Sequence, residues 1–452
     1  MIRLSIERAG YRGREVIKNV EEAFFEGSTL ILGPSGSGKT TLFLAITGVL
    51  TNLLDGYVDG WVDIDGVNPL GEGFREIPKV LGIVLQDPDR QIAMPIVRDE
   101  IYFALENLGQ EDMEVEPLIK GLGLDRYLDT HVEELSAGFK RRLTLVTAVL
   151  HKPGNILLDE PTASLDPWGV RDVRNFISSV SGVKIVIEHK ARYFLDIVDR
   201  IFILRDGSLE EVGPDDVDDI PGLETRLERS IPPVETKVGE LSASISSGVV
   251  GYGSPILKDV DLAVHRGEAV ALVGRNGSGK STILKTLAGF IKPLEGYMDV
   301  VDTPLYLPQE PDMFFIHPTV EREVRDALRD VDDVENVIRR LPLQRHLLTS
   351  SPYRLSHGER RRLLLILASI YPHRLLLMDE PTTGLDPLTY RSLAEEINRL
   401  KKVGRALLIA THDPRIILDV CDRAYILRGG GVDEASVDEA IEFLEKPLGM
   451  RL

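Results

Sequence analysis

The chain has 452 residues, 43% of them hydrophobic, and a formal net charge of −19, which is typical of an acidic multidomain globular protein. The acidic balance argues against a general nucleic-acid binder, because such proteins usually carry a basic footprint. A single cysteine, Cys421, excludes a disulfide framework and any cysteine cluster for zinc or iron–sulfur. No apolar run reaches about 18 residues and the charged N-terminal stretch is unlike a signal peptide, so we expect neither a membrane span nor a leader.

The first chemical motif is a glycine-rich loop between an apolar strand and a helix. Residues 33–40 match G-x-x-x-x-G-K-[ST], so backbone N–H groups and the helix N-terminus are expected to surround a phosphate. We expect Lys39 to reach the β- and γ-phosphates and the Thr40 hydroxyl to hold Mg²⁺. The nucleotide-binding residues predicted in this P-loop are Gly33, Pro34, Ser35, Gly36, Ser37, Gly38, Lys39, Thr40 and Thr41.

Three further features flank the P-loop in the first half of the chain. Tyr11 is a candidate for stacking on adenine, with a buried strand tyrosine as the alternative. Residues 56–66 alternate apolar and polar side chains, which predicts a hairpin packed by Trp61. Gln86 ends a predicted strand and is a candidate Mg²⁺ ligand, unless it is an ordinary loop glutamine.

A Leu-Ser-x-Gly motif with Ser136 and Gly138 precedes a predicted helix. It is compatible with a simple N-cap, but the cap serine, the glycine and the helix dipole also make an anion site. Such a site would lie far from its own P-loop and would serve another nucleotide. The basic residues 140–142 behind it are expected to form a solvated helix face.

Two buried strands of the first half end in ionisable residues. Asp159 ends one of them and is expected to bind Mg²⁺, directly or through water, while Glu160 orients or deprotonates the attacking water. His189 follows a second buried strand and is expected to bond the γ-phosphate and the glutamate. A solvated turn and a structural histidine are the alternatives.

The whole series of motifs occurs a second time in the same order, and the interval from Ser136 to Glu160 equals that from Ser356 to Glu380. This predicts a duplicated domain. The nucleotide-binding residues predicted in the second copy are Tyr252, Gly274, Arg275, Asn276, Gly277, Ser278, Gly279, Lys280, Ser281, Thr282, Ser356 and Gly358. The predicted Mg²⁺ ligands of the second copy are Ser281, Gln309 and Asp379, and its predicted catalytic residues are Glu380 and His412.

The two copies and the segments around them set the predicted domain boundaries. We predict a first domain over residues 1–212, an acidic, proline-containing linker over 213–240, a second domain over 241–430 and a helical tail over 431–452. The second copy has fewer residues between its lysine and its glutamine, so its β subdomain is predicted to be reduced.

This order of motifs resembles the ATP-binding cassette (ABC) family, twice over. The resemblance implies an α/β fold of two tandem P-loop NTPase domains, each with a RecA-like parallel sheet, an antiparallel β subdomain and a helical signature subdomain. It also implies that the domains sandwich two ATP molecules with Mg²⁺, each P-loop facing the other domain's signature serine and glycine. Both copies keep the lysine, glutamate and histidine, so two hydrolytic sites are expected. The signatures LSAGF and LSHGE depart from the family's LSGGQ.

Residues 86–92 and 97–108, and more loosely 309–315 and 319–324, resemble ATPases of energy-coupling-factor (ECF) transporters, which import vitamins and transition-metal ions. The resemblance implies a transmembrane coupling subunit and a substrate-binding membrane subunit as partners, no nucleic acid, and a place at the cytoplasmic membrane face. In that family this region borders the groove where the coupling subunit docks, although core packing is the alternative for each residue. The expected lining residues are Ile92, Met94, Phe314 and Phe315.

Two other functions remain open for such a tandem chain. The ATPase of a sugar importer is usually longer and often has one degraded site. A soluble tandem ABC translation factor acting on ribosomes usually has a long, charged helical linker, whereas this linker is short and contains proline. The cysteine count excludes the iron–sulfur ribosome-recycling relative.

Overall fold

The structure, a computed structural model, describes residues 1–34, 36–110, 113–218, 220, 223–328, 347–385 and 387–449, and only the backbone at 357 and 388. Ser35 of the first P-loop therefore lies outside the described residues. The chain divides into two compact units, Met1–Arg226 and Leu227–Leu452. The division falls within the stretch 213–240, which the sequence predicts to be a linker.

An antiparallel three-stranded sheet begins the first unit, in the order β2-β1-β4. Its strands are β1 (Ile2–Tyr11), β2 (Arg14–Phe24) and β4 (Gly56–Ile64). Ile2, Leu4 and Ile6 of β1 are buried on one face, as the period of two predicts.

The predicted hairpin over residues 56–66 is wrong, because β4 runs unbroken along β1. The register shifts between Ile6 and Arg8, opposite Gly60, and the strand then continues to Ile64. The chain turns only after that, and a single bridge from Ile64 to Val67 follows. Trp61 lies on this strand with 47% of its surface exposed, not in a hairpin core.

A six-stranded sheet forms the core of the first unit, in the order β5-β6-β7-β3-β8-β9. All neighbours are parallel except β8 and β9. Its strands are β3 (Gly27–Leu32), β5 (Leu81–Val84), β6 (Asn155–Asp159), β7 (Val183–Glu188), β8 (Arg200–Arg205) and β9 (Ser208–Val212). In this sheet the carboxyl ends of β3, β6 and β7 share one edge. The P-loop, the acidic pair and His189 lie at these ends, and Gln86 follows β5.

Helices cover the sheet and build a separate helical layer in the first unit. Val97, Ile101 and Leu105 of α4 pack with Leu143 and Val146 of α6, so the signature helix has its own small core. The helices are α1 (Lys39–Ile46), α2 (Val49–Asn52), α3 (Ile77–Val80), α4 (Val97–Leu108), α5 (Glu116–Gly121), α6 (Ala137–Val149) and α7 (Pro167–Ser179).

The second unit repeats this architecture. Its antiparallel sheet has the order β11-β10-β13 and its core sheet the order β14-β15-β16-β12-β17-β18. The strands are β10 (Leu241–Gly251), β11 (Pro255–His265), β12 (Ala269–Gly274), β13 (Glu295–Val300), β14 (Pro304–Leu307), β15 (Leu375–Asp379), β16 (Ala406–Thr411), β17 (Arg423–Arg428) and β18 (Gly431–Ala435). The β subdomain keeps three strands, but β13 has 6 residues where β4 has 9, in line with the predicted reduction.

The helices of the second unit follow the same plan where the structure describes them. They are α8 (Lys280–Leu287), α9 (Val320–Leu328), α10 (His357–Ile370), α11 (Pro387–Lys402), α12 (Pro414–Val420) and α13 (Val437–Glu445). Val320 and Val324 pack against Leu363, Ile366 and Leu367 in a core matching that of the first unit. Throughout the described ranges, no helix combines the length and apolarity that a membrane crossing requires.

Candidate functional site: two P-loop centres

Each P-loop connects a buried central strand to a helix whose first residue is the motif lysine. Gly38 and Gly279 cap α1 and α8 with φ of 104° and 102°, a conformation that favours glycine. A Cβ on Gly38 would also lie 2.8 Å from Val16 Cγ1. The glycine thus allows the chain to enter the helix directly from the loop, with N–H groups at its N-terminus.

Both motif lysines are buried and fold back onto their own loops. Lys39 Nζ donates to Gly33 O at 2.6 Å, and Lys280 Nζ donates to Gly274 O at 2.8 Å. Ser37 Oγ and Ser278 Oγ are buried without a hydrogen-bond partner in the described part of the chain. Each P-loop therefore offers one cation, which a carbonyl holds, and one hydroxyl without a hydrogen bond in the described part of the chain. Such a pair fits a phosphate, whose oxygens accept from both groups.

Three carboxylates meet at the strand ends beside the first P-loop. The parallel register pairs Asp159 with Ile187, which brings Asp159 and Glu160 next to Glu188. Burial, followed by repulsion from Glu160 and Glu188, raises the pKa of Asp159 to about 7. A divalent cation would relieve this repulsion, so the donor set fits Mg²⁺.

The second centre also fits Mg²⁺, on a different observation. Tyr306 Oη donates to Asp379 Oδ2 at 3.0 Å, whereas Asp379 Oδ1 is buried without a well-formed hydrogen bond among the described residues. Burial raises the pKa of Asp379. Hydroxyl, amide and carboxylate oxygens are hard donors of the kind that Mg²⁺ prefers. The residues predicted to supply them are Thr40, Gln86 and Asp159 in the first centre and Ser281, Gln309 and Asp379 in the second.

The glutamates after these aspartates have an unusual backbone. Glu160 and Glu380 have φ of 42° and 45°, in the left-handed region. Their N–H groups donate to Ile187 O at 2.8 Å and Ala410 O at 2.9 Å on the neighbouring strands. The turn therefore holds each carboxylate at the sheet edge, beside its P-loop.

The two glutamates have different partners. Gln86 Nε2 donates to Glu160 Oε2 at 2.7 Å, which leaves the amide oxygen of Gln86 for a metal. Glu380 Oε1 lies 2.9 Å from His412 Nδ1 and 3.6 Å from Lys280 Nζ. Burial raises the pKa of Glu380, but attraction to His412 and Lys280 outweighs it and lowers the pKa overall.

His189 lies between two carboxylates of the first unit. Its Nδ1 is 3.1 Å from Glu188 Oε1 and 3.5 Å from Glu160 Oε1. Burial opposes the charge, but Glu160 and Glu188 outweigh it and raise the pKa of His189 to about 9. The sequence predicts the contact with Glu160, but it treats Glu188 only as part of a buried strand.

The raised pKa of His189 predicts a pH-dependent stability. The protonated imidazole of His189 stabilises the fold fully when the pH is below the ordinary histidine pKa of 6.5. This contribution is lost as the pH rises through the raised pKa of about 9. His189→Gln should therefore destabilise the first unit most at about pH 6 and least above about pH 10. Urea unfolding of both proteins across this range measures the difference. His131→Gln, at an exposed histidine, is the matched control. A pH-independent difference for His189→Gln would contradict the assignment.

The two candidate stacking tyrosines differ in exposure. Tyr11 ends β1, partly buried against the core of the first unit. Tyr252 follows β10 in a turn and exposes 59% of its surface, so its ring is accessible to a base. Stacking on adenine remains a prediction for both.

The signature motifs are N-caps, as the sequence allows. Ser136 Oγ accepts from Phe139 N at 3.5 Å at the start of α6. Ser356 Oγ accepts from Glu359 N at 3.3 Å at the start of α10, and it donates to Glu359 Oε2 at 2.8 Å. The second signature therefore places a carboxylate against the hydroxyl predicted to meet a nucleotide. Gly138 and Gly358 have no atom within 3.4 Å of an added Cβ, so the face of each turn is open.

One basic residue behind each signature is buried, which corrects the prediction of fully solvated faces. Arg141 is 1% and Arg361 3% exposed. The Arg141 guanidinium donates to the carbonyls of Leu85 and Gln86. Arg361 donates to Gln309 O and Glu380 O, both at 2.8 Å. Each arginine thus fixes the glutamine loop to the signature helix of its own unit.

Comparison with known proteins agrees with the duplicated architecture. The family model described as ABC transporter matches residues 17–163 and 257–383. A Sulfurisphaera tokodaii protein, provisionally named as an ABC transporter ATP-binding protein, is 33% identical over 92% of this chain and 94% of its own length. The Bacillus subtilis protein YkoD, provisionally named as an HMP/thiamine import ATP-binding protein, is 30% identical over 89% of this chain and 85% of its own length.

A solved structure titled RNase-L Inhibitor has the same tandem fold. It covers 98% of this chain and 93% of its own with a TM-score of 0.70, at 21% identity. The P-loops, the acidic strand ends and the matched family together account for ATP binding and hydrolysis. The chain therefore belongs to the ABC transporter family and is an ATPase with two fused nucleotide-binding domains.

Proposed function

We propose that the chain is the ATPase subunit of an ECF-type importer of vitamins or transition-metal ions, peripheral to the cytoplasmic face of the cell membrane. The observation that carries the proposal is the likeness to YkoD along 89% of this chain, since the name of that protein assigns it to HMP/thiamine import. The residues after both glutamines, which resemble ECF ATPases in sequence, support it. Its partners would be a transmembrane coupling subunit and a substrate-binding membrane subunit.

The exposed apolar residues near the second glutamine loop give the proposal a candidate docking surface. Phe315 is only 4% exposed and belongs to the helical core, so its prediction as a lining residue is wrong. Its neighbours Met313 and Ile316 are 81% and 76% exposed instead, and Tyr353 is 55% exposed. Exposed apolar clusters of this kind are typical of binding sites.

In the first unit the corresponding region is less exposed. Ile92 packs partly against the core of the helical layer, and Met94 is half-buried. Tyr102 on α4 is 55% exposed. We therefore place the stronger apolar contact with a membrane partner on the second unit.

We propose the same division of chemical roles for both centres, and the contacts described above support it. Lys39 and Lys280, released from their loop carbonyls, bind the β- and γ-phosphates. Glu160 and Glu380 accept the proton of the attacking water, while His189 and His412 hold the γ-phosphate. Bound Mg²⁺ would neutralise charge on the phosphates. As in the family that the motifs resemble, each ATP is proposed to be completed by the other unit's signature turn, through Ser356 and Gly358 or through Ser136 and Gly138.

Capture from solubilised membranes tests the transport assignment. The tagged full chain should recover small hydrophobic membrane proteins in stoichiometric amounts. Met313→Asp with Ile316→Asp should reduce this recovery by roughly tenfold or more, because two charges then enter an apolar contact. Val403→Asp, at a residue 63% exposed after α11, is the matched control and should leave recovery unchanged.

Three outcomes of the same capture would contradict all or part of the proposal. Recovery of ribosomes in place of membrane proteins would favour the tandem translation factor. Equal recovery by the double variant and the parent would show that Met313 and Ile316 do not contact the membrane partner. A periplasmic-type sugar importer as the recovered complex would leave the ATPase assignment standing and exclude the ECF class.

A further inference from the structure

The two strand-end histidines have acidic neighbours on opposite sides. In the first unit the order is Glu188, His189, Lys190, whereas in the second unit it is Thr411, His412, Asp413. Asp413 Oδ2 pairs with Arg415 at 2.7 Å. The first centre therefore has one carboxylate more than the second at the position just before its histidine.

Glu188 is held by contacts on both of its oxygens. Glu188 is fully buried. Thr162 Oγ1 donates to Oε2 at 2.6 Å, and His189 N donates to Oε1 at 2.9 Å. His189 Nδ1 also lies 3.1 Å from Oε1. A buried, fully bonded carboxylate is fixed in place, so it also fixes the imidazole.

In the described part of the second centre, the residue before the histidine supplies no carboxylate, and Glu380 Oε2 accepts from His412 N at 3.3 Å instead. Thr411 Oγ1 accepts from Asp413 N at 3.0 Å and contributes no charge. His412 Nδ1 lies 2.9 Å from the candidate base, Glu380, which is also near Lys280. In the second centre the histidine therefore interacts directly with the candidate base.

The two centres differ in which carboxylate interacts with Nδ1 of the histidine. A Nδ1–H has one proton to donate, and His189 has Glu188 closer than Glu160. Glu160 is bonded by the neutral amide of Gln86. Glu380 Oε1 instead lies close to both His412 Nδ1 and Lys280 Nζ, so the histidine of the second centre faces the candidate base directly.

We propose that Glu188 is a positioning residue: it holds His189 toward the γ-phosphate and leaves Glu160 free for the attacking water, so that the first P-loop centre hydrolyses ATP faster than the second. This inference rests on the proposed roles of Glu160 and His189. The charged groups that act on the Glu188–His189 pair are Lys39 of α1, Arg141 of α6, Asp159 at the end of β6 and Glu160 after it.

Single-centre backgrounds of the full chain separate the two rates. In Glu380→Gln only the first centre keeps its base, and in Glu160→Gln only the second does. We expect a higher kcat in the Glu380→Gln background. Adding Glu188→Thr to that background should lower kcat roughly tenfold with little change in the KM for ATP, because the histidine then competes for the base.

The pH profile separates positioning from a general loss of structure. Without the carboxylate, the alkaline limb of kcat/KM in the first centre should move to lower pH, because His189 loses its proton earlier. Glu188→Gln keeps the shape of the side chain and its contact with Thr162. It should therefore shift the alkaline limb of kcat/KM without unfolding the protein. Thr411→Glu in the Glu160→Gln background should raise kcat. Glu210→Thr, on exposed β9, is the matched control and should change neither quantity.

Three results would overturn the inference. The first is an unchanged kcat and pH profile in Glu188→Gln. The second is a first centre no faster than the second in the parent backgrounds. The third applies if Glu188→Thr fails to fold: it is a Thr411→Glu variant whose kcat does not rise. Hydrolysis that survives loss of both Glu160 and Glu380 would instead reject the proposed catalytic roles, and the inference with them.

Discussion

Replacing Glu160 and Glu380 together by glutamine is expected to reduce ATP hydrolysis by about 10² to 10⁴-fold, the usual contribution of a general base. Each carboxylate lies at the sheet edge beside a P-loop, and it accepts from Gln86 Nε2 in one case and from the backbone N–H of His412 in the other. Glutamine keeps the size of the side chain but cannot accept the proton. ATP binding should remain, because the phosphate-binding lysines and N–H groups are untouched.

Steady-state phosphate release and equilibrium binding of a fluorescent ATP analogue together measure this result. Glu210→Gln, on an exposed carboxylate of β9, is the control and should match the parent in both assays. A double variant that still hydrolyses ATP near the parent rate would show that other residues carry the reaction. A variant that no longer binds nucleotide would show that the glutamates support the fold of the site.

Arg141→Met is expected to destabilise the first unit by about 1 to 3 kcal/mol, because two partly buried carbonyls lose their donors. Arg141 bonds the carbonyls of Leu85 and Gln86, and nothing else in its place could reach both. The glutamine loop should also move, so the rate of hydrolysis should fall more than the stability change explains. Arg361→Met should act in the same way on Gln309 and Glu380 of the second unit.

The tryptophans make the Arg141 variant measurable by itself. Trp61 and Trp168 are the only two in the chain, and both belong to the first unit, so their fluorescence in urea follows the unfolding of that unit. Arg90→Met, at a side chain 82% exposed, is the control and should change stability by less than about 0.5 kcal/mol. Equal unfolding midpoints for Arg141→Met and the parent would contradict the structural role given to this arginine.

The parts of the site that could be predicted from the sequence are those whose chemistry is local. A P-loop needs its glycines and lysine at fixed spacing, and an acidic pair after an apolar run marks a strand end. These patterns, present twice, give the fold class and the order of the motifs. The family and the ATPase activity are confirmed by the comparisons, while the roles of the individual site residues remain predictions.

The parts that could not be predicted depend on contacts between distant segments. Arg141 lies in a run of charged residues, and only its approach to the glutamine loop shows that it is buried. Glu188 continues an apolar strand pattern, and its importance comes from Thr162 and His189. Phe315 and Ile316 are adjacent apolar residues, and the packing of α9 against α10 decides which of them is exposed.

The left-handed backbone at Glu160 and Glu380 has a consequence for protein engineering. A β-carbon in this conformation costs about 1 kcal/mol or more, which glycine avoids. Substitution by glycine would relieve the backbone but would also remove the proposed proton acceptor. Selection of variants for heat resistance alone would therefore drive the chain toward inactive forms at these two positions, whereas selection for turnover would retain the strain.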